Sequence, residues 1–468
     1  MYPNLLRKRV ALTPDRIAFE MNGTLYSWSE VYKEVERIAQ RLPGKSGDRV
    51  GFWAKNSESM YFYILAALLK EFEIVFFNDR LTQEEFLFQQ LDSEVVWTVT
   101  DQKERALLEH VFLYETILGD RFETLDPQDM WAANRTISIM YTSGTTGRPK
   151  GVRQTLENHM TSALGSALNL GILPEDKWLC VMPLYHISGF SMIMRSLIYG
   201  STLELHDRFR PESVMRAIQT RGVTHLSVVT TMLQQLLEIV ENEQEPLPST
   251  FRVALAGGGP VPVPYLEKAQ LYGFPVIQTY GMTETSSQTC TLGAEDAIRK
   301  AGSAGRPLFF ADVRIDGENE GEIWVRGSHV TPGYIGMAST QQSTTEDGWF
   351  KTGDIGRIDE EGYLYILDRR SDLIVSGGEN IYPAEVEQAL LAHPDVLDAG
   401  VVAMDDAKWG QVPVAFVQVK DGCEPDLKTF LSTSLASYKQ PVHYYFVDAL
   451  PRNASNKLVR RELKDRLL

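Results

Sequence analysis

Short β-rich runs alternate with amphipathic stretches through most of the sequence, and this alternation limits the possible folds more than any other feature. Val50–Trp53, Ile74–Phe77, Val95–Val99, Trp178–Met182, Thr202–Leu205, His225–Val229 and Val253–Ala256 have the composition of buried strands. Between several of them lie helical patterns such as Pro211–Arg221 and Thr231–Glu241. The order predicts an α/β domain with mostly parallel sheets, helices on their faces and ligand loops at the strand ends. After Ala301 the texture changes to short strands with glycine turns, GEIWVRG and GYLYILD, which predicts a small β-rich subdomain. The polar-to-glycine-rich run DRRSDLIVSGGENIYP then reads as a hinge. The 468 residues exceed what one core serves. The expected division is a large N-terminal domain (1–367), a hinge (368–372) and a small mobile α+β C-terminal domain (373–468). Glu241–Ser249 reads as an exposed loop.

Charge narrows the function. The chain has 46 basic and 62 acidic residues, a formal charge of −16. Such a surface repels nucleic acid and anionic lipid, so an anionic ligand needs a local site, and a small-molecule enzyme is expected over a nucleic-acid binder. Cys180, Cys290 and Cys423 lie far apart without metal-ligand spacing and read as reduced thiols. Met1–Phe19 carries prolines and charges where a leader needs an apolar run. The most apolar stretch, Met60–Leu69, is about half of the roughly 20 residues a spanning helix requires, so it is expected as a buried helix. No membrane span and a cytoplasmic location follow as expectations.

Thr136–Thr142 is strand-like and runs into SGTTGRPKG, Ser143–Gly151. The hydroxyls of Thr142, Ser143, Thr145 and Thr146, the glycines Gly144 and Gly147, and Lys150 suit an anion. Glycine lets backbone N–H groups approach phosphate oxygens, hydroxyls donate, and lysine supplies a point charge. Arg148-Pro149 before Lys150 breaks the Walker pattern. A Ser/Thr/Gly turn without function is the plainer alternative.

The run YTSGTTGRPKG resembles the loop of the adenylate-forming superfamily of acyl-CoA synthetases, luciferases and peptide-synthetase adenylation domains, and further segments match in order along the chain. The resemblance implies ATP, Mg²⁺ and, as co-substrate, CoA. In YGMTE, Tyr280–Glu284, it implies that Glu284 helps bind magnesium, Thr283 approaches the α-phosphate and Tyr280 lies against adenine, with Thr279, Gly281 and Met282 framing the bend. Alone, YGMTE could be a helix start. Gly258, Gly259 and Pro260 of GGGP resemble the adenine-side segment. Asp354 in FKTGDIG matches the ribose-binding acid, whose two oxygens can accept from two neighbouring hydroxyls, although a TGD turn is also common. Arg369 matches an arginine that reaches the same ribose. Lys457 in PRNASNKL matches the lysine that bridges the attacking carboxylate and the α-phosphate; the competing reading places it in a solvated basic helix with Arg460, Arg461, Lys464 and Arg466, which read as solvated or as helping a CoA phosphate. Gly377 and Gly378 resemble the lining of the CoA thiol tunnel. Many relatives carry Asp or Lys two positions after the ribose arginine, where this chain has Ser371. No attached carrier domain is recognisable, which favours free CoA.

For the acid, SALNLGI, PLYHISGFS, YGMTETSSQ, RRSDLIVSGGENIYPAEVE and PRNASNKL are similar to the ligase family that activates o-succinylbenzoate in menaquinone biosynthesis. His186 resembles a gating residue beside the reacting carboxylate. That acid has a second carboxylate, and Arg195, the one cation in the apolar helical stretch Gly189–Leu197, is the candidate to meet it. The alternative for Arg195 is a helix-end arginine paired with a protein acid. Gly258, Thr283, Ser287 and Gln288 could also face the acyl pocket. Another aryl- or medium-chain acyl-CoA ligase, a non-catalytic adenylate or CoA sensor, and self-association into a homo-oligomer stay open.

Overall fold

The computed structural model describes residues 1–120, 122–143, 149–259, 261–340, 344–369, 372–376, 379–406, 408–423, 425–432, 434–452 and 458–467, with positions 143, 369, 379 and 380 given by backbone alone. Two sheets make the body of the large domain. In the first, of seven strands, Arg49–Trp53 pairs in parallel with Glu73–Phe76 and Trp97–Thr100. The third of these starts two residues later than expected, because Glu94 ends the preceding helix in a left-handed conformation and Val96 is still exposed. Glu58–Leu69 is the expected buried helix: every residue from Met60 to Leu69 is buried. Glu73–Phe76 also pairs in parallel with β1, Thr136–Ser143, which then folds back as an antiparallel hairpin onto β2, Pro149–Thr155. Helix α1, Leu156–Leu170, follows directly, capped by Thr155, which accepts from Asn158 N.

The second sheet has nine strands with a parallel centre, Lys177–Cys180, Thr202–Leu205, His225–Val228 and Val253–Ala256. Helix α2, Ile187–Tyr199, lies between the two sheets' cores; its Phe190 ring sits 5.0 Å from that of Phe76. The last parallel strand, β3, Val276–Tyr280, carries the YGMTE bend at its carboxyl end, where an α/β sheet places its ligands. Helix Thr230–Glu243 continues into the segment expected as a loop, so that loop begins only at Gln244.

A four-stranded antiparallel sheet forms the β-rich subdomain, with β4, Phe350–Ile358, against β5, Leu364–Arg369. Beyond it the C-terminal domain packs helix α3, Pro383–Leu391, on the long strands Val396–Asp406 and Gly410–Val419. Hydrogen bonds cross the expected hinge: Ala384 N donates to Asp368 Oδ2 at 2.9 Å, and Tyr382 OH to Glu320 Oε2 at 3.1 Å. The reading of Arg460 as solvated fails. It opens helix α4, Arg460–Asp465, and grips Glu387 through two bonds of 2.9 and 2.7 Å and Asp372 at 3.2 Å. Those acids lie 73 and 88 positions away, beyond any local pattern.

Candidate active site

The segment expected to bind phosphate lies between β1 and β2, which pair as an antiparallel hairpin. Ser143 faces Pro149 and Thr142 faces Lys150 in the ladder, so hydroxyl and ammonium stand opposite each other at its mouth. Gly144, Thr145, Thr146 and Gly147 lie outside the described residues. The Lys150 ammonium is 5.5 Å from the centroid of the Tyr334 ring, a distance at which the ring's negative face attracts it. Tyr334 OH in turn donates to Glu284 Oε1 at 3.5 Å. One ring thus joins the loop lysine to the acid of YGMTE. Tyr334 was not singled out from the sequence; its only signal there is a glycine-tyrosine pair in TPGYIG.

The bend itself needs glycine. A Cβ on Gly281 would sit 1.6 Å from the Ser287 carbonyl oxygen, so no other residue allows the chain to fold back so closely. The single turn Thr283–Thr285 then presents Thr283 and Glu284, both half-buried, and Thr331 N donates to the Glu284 carbonyl at 2.7 Å. Met282 packs against the apolar cluster that contains Cys290 and Phe350. Tyr280 OH donates to Asp354 Oδ2 at 2.7 Å; burial first, and then the Asp354 charge, hold its phenol well above the usual range. The aromatic ring and the acid expected at adenine and ribose are therefore adjacent. Asp354 also faces Arg369 across the β4–β5 ladder, which brings the two expected ribose residues to one position. Gly258, with φ of 84°, and Gly259 follow the neighbouring strand, whereas Pro260 lies outside the described residues. Thr279 turns its hydroxyl into the sheet, donating to the Cys290 carbonyl at 2.8 Å.

On the acyl side, His186 is the residue that caps the start of α2, with its ring 4.7 Å from that of Tyr185. A Cβ on Gly189 would meet the Pro183 carbonyl at 2.2 Å, so glycine lets the helix begin against the PLYH loop. Arg195 lies nine residues further along α2, roughly 13.5 Å of helical rise. Its side chain is buried, at 2 % exposure. Nη2 donates to Gln288 Oε1 at 2.9 Å and Ser287 Oγ at 3.2 Å, the guanidinium lies 5.0 Å from the Trp178 ring centroid, and Nε is buried without a partner. Burial lowers its pKa from the ordinary guanidinium value. Among the described residues no carboxylate forms an ion pair with it. Arg195, Ser287 and Gln288 are thus in contact, and Ser287 adopts a φ of 115°, a left-handed strain uncommon outside glycine. Gln288 is fully engaged, donating also to Thr291 Oγ1 at 3.0 Å.

Lys457, Gly377 and Gly378 lie outside the described residues. No group of three or more His, Cys, Asp or Glu able to enclose a metal occurs among the described residues. One half-buried carboxylate, Glu284, near the hairpin expected to bind phosphate is a donor set that fits Mg²⁺, which takes few protein oxygens and completes its shell with phosphates and water.

The chain is similar to known proteins along nearly its whole length. The family model described as AMP-binding enzyme matches residues 6–335, and that described as AMP-binding enzyme C-terminal domain matches residues 385–457. A 2-succinylbenzoate–CoA ligase of Bacillus cereus is 46% identical over 474 residues, covering 99% of this chain and 98% of the relative. The o-succinylbenzoate CoA synthetase of Bacillus subtilis has been solved with the acyl-adenylate intermediate and with ATP and magnesium ion. Both structures match at TM-score 0.93 and 42% identity, covering 99% of this chain and 98% and 99% of theirs. A double mutant of that synthetase with a product analogue matches at TM-score 0.76, with 43% identity and coverage of 99% and 98%.

Proposed function

We propose, from the premise that the chain belongs to the AMP-binding enzyme family, that it joins o-succinylbenzoate to coenzyme A with ATP, in menaquinone biosynthesis. The observation that carries the choice of acid is Arg195: a buried cation held by neutral acceptors and without an acidic partner among the described residues. A cation placed so is costly unless an anion arrives to meet it. The ring carboxylate of o-succinylbenzoate is that anion, while the succinyl carboxylate reacts near His186.

In the first half-reaction an oxygen of the succinyl carboxylate attacks the α-phosphorus, and the bond to pyrophosphate breaks. Lys150 and the hairpin hold the leaving phosphates, Thr283 meets the α-phosphate, and Tyr280, Asp354 and Arg369 fix the nucleoside. Lys457 bridges the carboxylate and the α-phosphate where negative charge accumulates. These groups position reactants and stabilise charge, which is what the reaction demands of a protein. Magnesium, held by Glu284, would supply charge neutralisation on the phosphates.

In the second half-reaction the CoA sulfur attacks the acyl carbon, the thiol proton is released and the bond to AMP breaks. Lys457 must leave for the thiol to enter, so the small domain, 373–468, turns about 368–372 and brings Gly377 and Gly378 to the thiol. The drop in TM-score from 0.93 to 0.76 at nearly equal identity supports such a rearrangement within this fold. The Asp368–Ala384 and Tyr382–Glu320 bonds cross the pivot and would break on turning. The chain acts in the cytoplasm, with free CoA as acceptor.

Pyrophosphate release with ATP, CoA and a panel of acids tests this directly. O-succinylbenzoate should be the preferred substrate over benzoates and medium-chain acids. Preference for another acid would shift the assignment within the ligases, and no release with any acid would leave a sensor.

A further inference from the structure

Thr283 is tied to the phosphate hairpin by a buried polar chain that begins on α1. Gln154 of β2 donates from Nε2 to the Thr283 carbonyl at 2.7 Å. Its Oε1 lies 2.6 Å from Ser138 Oγ on β1, and Ser138 Oγ lies 2.9 Å from His159 Nε2 on α1. Gln154 and Ser138 have no exposed surface, and His159 is also buried.

The direction of every proton in this chain follows from its ends. A carbonyl can only accept, so the Gln154 amide must turn its nitrogen to Thr283 and its oxygen to Ser138. The single hydroxyl proton of Ser138 is then used on Gln154. Ser138 Oγ can only accept from the imidazole, so His159 carries its proton on Nε2. Its Nδ1 is accordingly bare, and it is buried without a partner. Burial lowers the His159 pKa to about 3, which keeps the ring neutral.

The same helix braces the turn and the segment 328–330 beside it. Ser162 Oγ donates to the Ser286 carbonyl at 2.8 Å, and Asn158 Nδ2 donates to the Ser328 and Val330 carbonyls at 2.9 and 2.8 Å. Without these ties, a turn holding Ser286 and Ser287 at positive φ has few local reasons to keep one height above the hairpin.

We propose that His159, Ser138 and Gln154 are positioning residues for adenylate formation, a one-way hydrogen-bond chain that sets Thr283 against the phosphate-binding hairpin. This inference rests on the reading that Thr283 meets the α-phosphate. Misplacement of a positioned group by about 1 Å can cost roughly 10²-fold in rate.

The experiment compares pyrophosphate release by the wild-type enzyme and the variants Q154M, H159M and H159Q, alongside [¹⁵N]histidine NMR of the wild type. Gln at 159 can return the donor to Ser138, whereas Met fills the same space without one. Q154M and H159M should lower kcat about 10²-fold with little change in KM for the acid, and H159Q should recover most of that loss. The wild-type spectrum should show His159, identified by its absence in H159Q, as a neutral Nε2–H ring from pH 8 to pH 5. Folded Q154M and H159M with wild-type kcat, equal rates for H159M and H159Q, or a His159 signal that is Nδ1–H or protonated in that range would each overturn the chain. Where a variant does not fold, the wild-type spectrum decides. A wild-type enzyme that releases no pyrophosphate would instead refute the functional reading, and the two failures are distinct.

Discussion

Replacing Arg195 by methionine separates what a buried cation does for the fold from what it does for the substrate. In the free protein the guanidinium keeps two hydrogen bonds to neutral acceptors, at 2.9 and 3.2 Å, and a contact with Trp178 at 5.0 Å. Bonds of a charged donor are worth about 1.5–3 kcal/mol each, whereas desolvating the ion costs several kcal/mol. The two nearly offset, so methionine, of similar length and apolar, should leave the melting temperature within a few degrees of wild type or raise it. Substrate binding is different. Removing one partner of a buried charge pair costs about 2–5 kcal/mol, because the other charge is left unpaired. That corresponds to a fall in kcat/KM for o-succinylbenzoate of about 30-fold to several-thousand-fold. The same keto acid without the ring carboxylate, 4-oxo-4-phenylbutanoate, should react with R195M as well as with wild type, or better. Continuous pyrophosphate release with both acids, and calorimetric melting, measure the three quantities. An equal fall for both acids, or a collapse of stability without substrate, would refute the assignment.

Three other outcomes are expected. Lys457→Ala should slow adenylate formation about 10²–10³-fold yet still convert supplied acyl-adenylate and CoA to thioester, as followed by chromatography of each half-reaction. Gly281→Ala should abolish activity and lower the melting temperature, since its Cβ would lie 1.6 Å from a carbonyl oxygen; wild-type melting would contradict the bend described. Stability should fall as pH drops below about 6.5, because burial holds His159 at about 3 and His329 at about 4, so the unfolded chain binds protons that the folded one refuses. At pH 5 each contributes a loss of about 2 kcal/mol, complete only below the folded pKa, and H159Q should flatten the slope of urea midpoints against pH.

Legibility in the sequence followed the range of the interactions. Strands such as Thr202–Leu205 and Val253–Ala256 were readable to the residue, because their apolar runs are bounded by local turn signals. The Tyr280–Asp354 pair was anticipated only as two ligands of one nucleoside; the bond between them joins positions 74 apart. Tyr334 went unnoticed because its role comes from lying between Lys150 and Glu284, which a linear pattern does not express. Arg460 looked like one of several surface cations and proved to be half-buried and paired with Glu387 and Asp372, since nothing in RREL distinguishes a paired arginine from a solvated one. Gln154, Ser138 and His159 are common polar residues whose spacing is unremarkable until a hairpin and a helix bring them together.

In an acyl-adenylate pathway the acid's own oxygen passes to AMP, and isotope transfer follows that atom. O-succinylbenzoate labelled with ¹⁸O in the succinyl carboxylate, incubated with ATP, CoA and enzyme, should yield AMP bearing one ¹⁸O atom by mass spectrometry, with none in pyrophosphate. Label in a phosphate other than that of AMP, or thioester formed with unlabelled AMP, would contradict an acyl-adenylate.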